Sequence, residues 1–378
     1  MLKRVHIQNF KSLKDVTLDL QKVNLLIGPN NSGKTNFLKA LEFFGESRNI
    51  VSHVADVEKL LFKHKNGVEV KIYLIFDPDL EHIETGEYNY LIYLCNINDK
   101  GITFKDVWLE KEKERFRSYT PKVSDFNYIE FKSRIGELYI YNPDPNKLVV
   151  PGPVGTGVEL VNADTSNLIG FLDRMLGNKY RNRVFNRIEA DLQKCLPEFD
   201  QVEIDDITPD EDWIRIHGEE SRKFSFKRLG LSNSQQGITY WADELSEGTL
   251  YFLALLCIIN QPNPPKLLLL EEPEKGIHPR RIREVMDFIF RLAEEKDVQI
   301  ILTTHNEHVL DDFATRPESV FVFDKDEEGA TYVRNLQKDI IEPTNKRNEE
   351  LGLDPIDLTS NLSENWLYGL LGGVPEIS

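Results

Sequence analysis

The stretch GPNNSGKTN, Gly28 to Asn36, is the strongest indication of the fold class of this chain. It follows the apolar run VNLLI (Val23 to Ile27) and precedes FLKALEFF (Phe37 to Phe44), in which the apolar residues have helical spacing. A GxxxxGK[ST] pattern between a strand and a helix is typical of a phosphate-binding loop. The glycines let backbone N–H groups point inward, the lysine reaches the phosphates, and the hydroxyl ligates Mg²⁺. The stretch therefore predicts a nucleotide site.

We expect the following residues of this loop to bind the nucleotide: Gly28, Asn30, Asn31, Ser32, Gly33, Lys34, Thr35 and Asn36. The alternative is a chance match in a turn rich in glycine and asparagine, but the strand before it and the helix after it argue against that. The loop alone does not separate GTPases, kinases, helicases and transport-type ATPases. An acidic partner elsewhere in the sequence has to make that distinction.

The segment LLLLEEPEKGIHP, Leu267 to Pro279, is an apolar strand that ends in two carboxylates. Glu271 is placed to support Mg²⁺, and Glu272 is placed to polarise the attacking water as a general base. The end of a strand suits both roles, because ligands of open α/β sheets bind at the carboxyl ends of strands. The alternative is an acidic turn after a core strand.

Two further segments supply candidate residues. ADELSEGTLYFLALL places Ser246 at a predicted helix start, with Glu247 and Gly248 in the first turn, an arrangement that is also ordinary helix capping. IILTTHNEHVL places His305 directly after a second buried strand, where its imidazole would meet a γ-phosphate. A lone histidine there is otherwise a polar residue with satisfied hydrogen bonds. The order of the four pieces along the chain favours one common site.

Together these motifs resemble an ABC-type ATPase of the SMC/RecF/OLD branch, the prokaryotic proteins often called AAA-family ATPases. The pieces that carry the resemblance are the opening NFKSL, the phosphate loop GPNNSGKT, a signature LSEGT, the strand LLLLEE and the switch segment TTH. Residues 1–45 and about 235–325 resemble the family closely. The residues between them correspond only loosely to a lobe that such proteins vary or replace by a coiled coil.

The resemblance implies a role for each site residue. Lys34 and Thr35 would bind ATP and its Mg²⁺, and Glu271 would be a second metal ligand. Glu272 would be the catalytic base, and His305 would sense the γ-phosphate.

The resemblance also implies a dimer. Ser246 and Gly248 would contact the γ-phosphate of the ATP that a facing subunit holds, so two chains would enclose two nucleotides head to tail. The chain departs from the family at Glu271, which replaces the usual Asp, and at Thr249, which replaces the signature Gln. Neither Gln193 nor Gln201 follows a strand of the first lobe, so the family's Q-loop glutamine has no counterpart that we can place.

The expected fold class is α/β, a P-loop NTPase of the ABC/SMC-head type. Strands and helices that alternate from Leu250 to Phe323 predict a parallel sheet with crossover helices. The β-rich runs between Gly67 and Tyr141, including NYIEFKS and ELYIY, predict an antiparallel β lobe, and Asn167 to Leu196 predicts a helical insertion. We expect a bilobed ATPase over 1–325, with its core in 1–45 and 235–325 and a variable lobe in about 46–234. A C-terminal tail over 326–378 would follow.

Composition limits the partners. The chain of 378 residues has a formal net charge of −17, so DNA contact would require a local basic stripe. Candidates are Lys3, Arg4, Lys111 to Arg117 and Arg280 to Arg283, each of which is also explained as a solvated charged face. No long apolar run or signal peptide is present, so we expect a soluble, cytoplasmic protein that needs no membrane partner. The three cysteines have the surroundings of core thiols.

The sequence leaves two main hypotheses for the task. After Lys325 the chain is too short for the TOPRIM nuclease domain of OLD-type proteins, which favours an ATPase switch that controls a separately encoded effector, a nuclease, in antiphage (antiviral) defence. The alternative is a RecF-like or SMC-like ATPase that binds DNA in repair. A chaperone-like or structural role is a weaker third. The aromatic and glycine-rich end, Trp366 to Gly373, would dock on the body of the protein or on a partner, and we favour the body.

Overall fold

The computed structural model describes residues 1–50, 69–76, 90–98, 101–109, 128–136, 138–154, 159–177, 179, 181–208, 225–275 and 277–373. The basic run Lys111 to Arg117 lies outside the described residues. The strands are β1 Leu2–Phe10, β2 Leu13–Asp19, β3 Val23–Ile27, β4 Val70–Phe76, β5 Tyr90–Asn98, β6 Gly101–Leu109, β7 Ile140–Tyr141, β8 Gly152–Val154, β9 Gln201–Ile207, β10 Ser225–Asn233, β11 Ile238–Trp241, β12 Leu267–Glu271, β13 Gln299–Thr303, β14 Val320–Lys325 and β15 Thr331–Asn335.

The helices are α1 Lys34–Ile50, α2 Tyr128–Ile135, α3 Asn146–Val149, α4 Leu168–Leu176, α5 Asn182–Cys195, α6 Glu247–Asn260, α7 Ile282–Glu295, α8 Glu307–Asp311, α9 Glu342–Glu350 and α10 Leu362–Leu367. A 3₁₀ turn, Pro279–Arg281, precedes α7, and a π-helical turn, Leu336–Ile341, precedes α9. Among the described residues, no helix combines the length and the hydropathy that crossing a bilayer requires.

The chain forms two compact units. Unit 1 contains Met1–Ile140, Lys266–Glu272 and Asp297–Ser378, and unit 2 contains Tyr141–Pro265 and Pro273–Lys296. These units are compact groups of residues, and their limits differ from those of the predicted core, lobe and tail. The predicted domain division stays a prediction.

A mostly parallel sheet lies in unit 1, with the strand order β15-β14-β3-β13-β12-β7. The strands β14, β3, β13 and β12 pair in parallel, whereas β15 joins β14 antiparallel. β3 and β13 are buried along their whole length, which explains their unbroken apolar sequences. The prediction of a parallel sheet with crossover helices is confirmed.

An antiparallel sheet of unit 1 has the order β2-β1-β4-β5-β6. Its prediction is confirmed for the runs that form β4 and β5, but it is wrong for NYIEFKS, which lies in helix α2. Phe131 and Ile135 are four residues apart and both buried, so this segment has one apolar face at helical spacing. Of ELYIY, only Ile140–Tyr141 is a strand, and it lies at the edge of the parallel sheet.

Helix α1 belongs to the hydrophobic core that both sheets of unit 1 share. Phe37, Leu38 and Leu41 are fully buried in this core, and the ring of Phe37 meets that of Phe323 edge to face at 6.0 Å. The helix runs to Ile50, beyond the end predicted near Gly45. A single glycine costs a helix interior only about 1 kcal/mol relative to alanine, so it does not end a helix that tertiary packing supports.

Unit 2 has its own antiparallel sheet, in which β10 pairs with β8, β9 and β11. Helix α6 is buried on every side apart from its first residue, which explains why it is apolar all round. The predicted helical insertion consists of the two helices α4 and α5. The Asp191 carboxylate, nearly inaccessible to solvent, accepts from Asn260 Nδ2 at 2.8 Å and pairs with Lys296 Nζ at 2.6 Å.

The C-terminal segment packs within unit 1. Leu362 and Leu371 are fully buried and Trp366 is 7% exposed. The Ser363 N–H donates to Asp311 Oδ1 at 2.9 Å, which joins α10 to α8. Docking of the tail on the body of the protein is therefore confirmed.

Candidate functional site

Three neighbouring strand ends carry the predicted catalytic residues. In the parallel sheet β13 lies between β3 and β12, so the carboxyl ends of the three strands are at one edge. The phosphate loop follows β3, Glu271 ends β12, and His305 follows β13 by two residues. All of them belong to unit 1. The strand topology therefore brings together segments that are far apart in the sequence.

The phosphate loop has a backbone that requires glycine at two positions. Gly28 has a φ of +144°, and a Cβ there would lie 2.2 Å from the carbonyl oxygen of Phe323. Gly33 has a φ of +111°, and a Cβ there would lie 2.2 Å from Thr331 Oγ1. Both the positive φ and the lack of space exclude other residues. The surrounding strands thus fix the course of the loop.

Lys34 lies inside the loop with 4% of its surface exposed. Its ammonium group donates to the carbonyl oxygens of Gly28 at 2.7 Å and Pro29 at 3.0 Å. Ser32 is 1% exposed, and within the described part of the chain its hydroxyl has no hydrogen-bond partner. A buried polar group without a partner costs about 1–3 kcal/mol, which an anionic ligand accepting from the hydroxyl would offset.

The three asparagines of the loop differ in environment. Asn30 and Asn31 are exposed, and Asn31 has a φ of +65°. The Asn36 amide donates to Ser12 Oγ at 2.9 Å, so it is engaged within the protein. The nucleotide contacts predicted for these side chains stay predictions.

Thr35 and Glu271 fit a magnesium site. The Thr35 hydroxyl donates to Glu271 Oε1 at 2.6 Å, so the two oxygens are adjacent. Mg²⁺ is usually held by one or two protein oxygens together with phosphate and water. Glu271 is one methylene longer than the usual Asp, and this contact shows that the longer side chain reaches the threonine. Bound Mg²⁺ would supply positive charge against the phosphate oxygens.

Glu272 has an unusual backbone conformation. Its φ is +49°, in the left-handed region that non-glycine residues rarely adopt. Its N–H donates to the carbonyl oxygen of Thr303 at 3.1 Å and lies 3.3 Å from the hydroxyl of the same residue. Such strain costs of the order of 1–3 kcal/mol and is concentrated at functional sites. These contacts to β13 hold the start of the turn in place.

His305 contacts the Glu272 carboxylate. Its Nε2 lies 3.2 Å from Glu272 Oε1, and its side chain is 35% exposed. Burial and the positive charge of Lys34 lower the pKa of His305 below its usual 6.5, although the charge of Glu272 acts in the opposite direction. The imidazole is therefore neutral at pH 7, so it can donate from one ring nitrogen and accept at the other.

The signature turn belongs to unit 2 and caps helix α6. The Ser246 hydroxyl accepts from the Thr249 N–H at 3.1 Å and lies 2.8 Å from the Thr249 hydroxyl. Gly248 is buried in the first turn. The turn is therefore a helix cap, as the alternative interpretation proposed. Thr249, which stands where the family has Gln, takes part in this cap, and the nucleotide role of the turn stays a prediction.

Two residues that support the phosphate loop were not predicted. Thr331 Oγ1 lies 2.8 Å from both the carbonyl oxygen of Ser32 and the hydroxyl of Ser12. Ser12 is part of the NFKSL motif, so its presence near the site could have been inferred from that motif. Thr331 is 319 residues away from Ser12 in the sequence and lies in no recognisable motif.

Two family models match most of the chain. Residues 1–148 match the model described as "AAA ATPase domain". Residues 158–311 match the model described as "AAA domain, putative AbiEii toxin, Type IV TA system". The chain is an AAA-family ATPase. The predicted resemblance to the SMC/RecF/OLD branch is confirmed at this level.

Individual proteins are also similar to this AAA-family ATPase. An "ATP/GTP phosphatase" of Helicobacter pylori is 22% identical over 342 residues, which cover 82% of this chain and 87% of that protein. The energy-coupling factor transporter ATP-binding protein EcfA2 of Enterococcus faecalis is 30% identical over 111 residues, or 29% of this chain. That match spans 37% of the transporter protein's own length. The SMC head domain from Thermotoga maritima has 15% identity and a TM-score of 0.46, with 88% of this chain and 98% of that chain covered.

The AAA ATPase domain model and the Helicobacter pylori relative show that the AAA-family ATPase hydrolyses ATP, as predicted. The family implies a nucleotide and usually Mg²⁺, and the Thr35–Glu271 contact fits that requirement. The roles assigned to single residues stay predictions.

Proposed function

We propose that this ATPase is a switch whose head-to-tail homodimer encloses ATP and controls a separately encoded effector, a nuclease, in prokaryotic antiphage defence. The observation that carries the proposal is the pairing of Thr35 with Glu271 and of Glu272 with His305 at one edge of the parallel sheet. This arrangement supports both a phosphate-and-metal clamp and a positioned base. The clamp and the base are the two parts that an ATP-driven switch requires.

In the proposed reaction, Glu272 is the general base. Its carboxylate accepts a proton from the attacking water while the bond between the γ-phosphorus and the ADP oxygen breaks. His305 Nε2 lies 3.2 Å from the carboxylate and orients Glu272. Because a neutral imidazole has a single N–H donor, sensing of the γ-phosphate by His305 would require that N–H to turn from the carboxylate to a phosphate oxygen. Lys34 binds the phosphates through its ammonium group. The contacts of the Glu272 N–H with Thr303 fix the backbone from which the carboxylate extends.

The dimer gives the ATP site its switching property. The amino end of helix α6, which Ser246 caps, attracts anions through its N–H groups and dipole. Contact with the terminal phosphate held by a second copy would favour the closed dimer, and hydrolysis would remove that contact. Because ligands that bind one of two states shift the population toward it, an effector that binds only the closed form would be controlled by ATP.

The comparisons support the defence context. One family model is described as "AAA domain, putative AbiEii toxin, Type IV TA system", which is consistent with a protein that acts together with a partner. The Helicobacter pylori relative is described as a phosphatase of ATP and GTP, which supports turnover of nucleotide by a chain of this type.

A RecF-like or SMC-like ATPase that binds DNA is the second candidate. Lys11 and Lys39 favour it, because their ammonium groups are neighbours: burial lowers the pKa of Lys11 most, and the nearby charge of Lys39 lowers it further. Neighbouring lysines can neutralise phosphates of a nucleic acid. Of the basic candidates from the sequence, Arg4 pairs with Asp19 at 2.5 Å and is less available for that purpose.

A phage-challenge experiment tests the proposal. Cells that carry this gene with its neighbouring genes should survive infection, and Lys34→Ala or Glu272→Gln should abolish survival. Lys14→Ala is the matched control, because its side chain lies in an exposed ion pair with Glu328. Full survival with Lys34→Ala would contradict control by ATP.

Two assays on the purified chain separate the candidates. Cleavage of DNA by the purified chain alone would contradict a separate effector. ATP-dependent and salt-dependent binding of DNA, lost in Lys11→Ala/Lys39→Ala, would favour the second candidate.

A further inference from the structure

The C-terminal clip, defined as Leu362–Gly373, reaches the base of the phosphate loop. The Gly373 N–H donates to Asp324 Oδ2 at 3.3 Å. A Cβ on Gly373 would lie 2.7 Å from Val322 Cγ1 and 3.4 Å from both Gly28 Cα and the carbonyl oxygen of Phe323. Gly373 thus lies directly against the first glycine of the loop.

Three backbone segments meet at this point without spare space. The carbonyl oxygen of Phe323 would be 2.2 Å from a Cβ on Gly28 and 3.4 Å from a Cβ on Gly373. β14 supplies Phe323, the loop supplies Gly28 and the clip supplies Gly373. Interiors packed this closely transmit small displacements. A shift of the clip therefore moves β14 or the loop.

Hydrogen bonds hold the clip in place. Trp366 is buried, and its Nε1 donates to the carbonyl oxygen of Gly373 at 3.2 Å. Arg334 Nη2, from β15, donates to the carbonyl oxygen of Leu371 at 3.2 Å. The end of the clip, Leu371 to Gly373, is therefore held by Trp366 within the clip and by Arg334 of the sheet.

The other end of the clip reaches the segment that follows His305. Helix α10 packs against α8, and the Ser363 N–H donates to Asp311 at the end of α8. α8 begins directly after Asn306, whose side chain caps it. The clip therefore contacts both the loop proposed to bind phosphate and the helix next to the histidine proposed to sense it.

We propose that Gly373 is a positioning residue for the phosphate loop, so that the C-terminal clip sets the affinity of the protein for ATP. The inference rests on the proposed nucleotide role of the loop. Gly373 touches neither the metal ligands nor the base. Its displacement should weaken ATP binding and raise KM, and it should leave kcat nearly unchanged.

Gly369 provides a matched control. Its φ is +76°, close to the +66° of Gly373, but nothing lies within 4 Å of a Cβ built on it. Gly373→Ala and Gly369→Ala therefore introduce similar backbone strain, and only Gly373→Ala introduces a close contact, at 2.7 Å from Val322 Cγ1 of β14, which in turn lies beside the loop. A difference between the two variants isolates the contact.

The experiment measures binding of a fluorescent ATP analogue, the KM and kcat of hydrolysis, and thermal unfolding. Gly373→Ala should raise Kd and KM by roughly tenfold and change kcat by less than about twofold, as expected for lost ground-state binding. Gly369→Ala should retain the parent Kd and KM. Equal Kd values for the two variants, with equal unfolding temperatures, would overturn the proposal.

Trp366→Phe is the second variant, and it keeps an aromatic ring while removing the Nε1 donor to Gly373. It should raise Kd in the same direction by a smaller factor, and a parent Kd in a folded Trp366→Phe would also count against the clip. Lys34→Ala distinguishes the two levels of the argument. If Lys34→Ala binds ATP with the parent Kd, the role of the loop fails, whereas weakened binding in Lys34→Ala with the parent Kd in Gly373→Ala contradicts the clip alone.

Discussion

The phosphate loop and the signature turn have equally recognisable sequences, but the protein holds them in different ways. The loop has two glycines with positive φ, each pressed against a neighbouring strand, and a buried lysine bound to loop carbonyls. The signature turn has an ordinary cap in which Ser246 bonds to Thr249. The loop is held in one conformation by the strands around it, whereas the turn already satisfies its own hydroxyl.

From this difference we expect the two motifs to contribute to different steps. A rigid loop with an unpartnered buried hydroxyl at Ser32, within the described residues, gains from a phosphate even in a single chain. A capped helix end gains only from an anion that reaches its free N–H groups from outside. We therefore expect loop variants to weaken ATP binding strongly and turn variants to leave binding intact while reducing dimerisation and hydrolysis.

Lys34→Ala should have the broadest effect, because weaker ATP binding reduces both dimerisation and hydrolysis. Removing a buried ammonium from the loop should weaken ATP binding roughly hundredfold, because hydrogen bonds to charged groups contribute about 1.5–3 kcal/mol each. Titration calorimetry with ATP measures it. Lys39→Ala, on the exposed side of the same helix, is the control. Undiminished binding in Lys34→Ala would remove the loop from the site.

The next effect concerns hydrolysis. Glu272→Gln keeps the shape of the side chain but cannot accept a proton, so turnover should fall by about 10² to 10⁴-fold while ATP binding persists. The nucleotide-bound dimer should then accumulate in light scattering. Glu328→Gln, at an exposed site, should behave like the parent. Hydrolysis by Glu272→Gln at the parent rate would show that another group is the base.

Two substitutions at Ser246 separate its role as a helix cap from its proposed contact with the partner's phosphate. Ser246→Ala should lose about 0.5–2 kcal/mol of stability with the cap, together with ATP-dependent dimerisation. Ser246→Asp restores a good capping residue but places negative charge where the partner's phosphate would bind. Its melting temperature should recover while its ATPase rate does not. Recovery of both would mean that the turn is a cap alone.

The smallest effect is a dependence on pH. The pKa of His305 is lowered from 6.5, so between that lowered pKa and 6.5 the unfolded chain binds a proton that the folded chain does not. The contribution of His305 to the free energy of unfolding is therefore fully present above pH 6.5, and it decreases as the pH falls below 6.5. Thermal unfolding of the parent and of His305→Asn measures this. The variant should show a weaker dependence in that interval, and identical profiles would contradict the assignment.

The sequence predicts the strand ends of the site well, because buried parallel strands are unbroken apolar runs and their carboxyl ends carry distinctive polar residues. It predicts the parallel sheet and the helix after the loop for the same reason. NYIEFKS was misjudged because a short run rich in aromatic and β-branched residues satisfies both periodicities, and only its neighbours decide between them. The end of α1 was misjudged because tertiary packing outweighs one glycine.

Thr331 and the C-terminal clip could not be predicted from the sequence. Thr331 matters only because β15 pairs with β14 beside the loop, and nothing local to it indicates that neighbour. Gly373 resembles any turn glycine, as Gly369 does, and the two differ only in what surrounds them. Contacts between segments this distant depend on the whole topology, which a single sequence does not reveal.

The central position of β3 in the parallel sheet has a consequence for biosynthesis. This strand is made among the first residues of the chain, but its two neighbours are β13 and β14, so Val23 pairs with Ile300 and Leu25 with Val320. Pairing over such sequence distances is slow. The apolar side chains of β3 therefore stay exposed until β13 and β14 have been made and pair with it. A ribosome must therefore release most of this polypeptide before β3 can be covered by its neighbours, and the nascent chain is a natural client for chaperones throughout that interval.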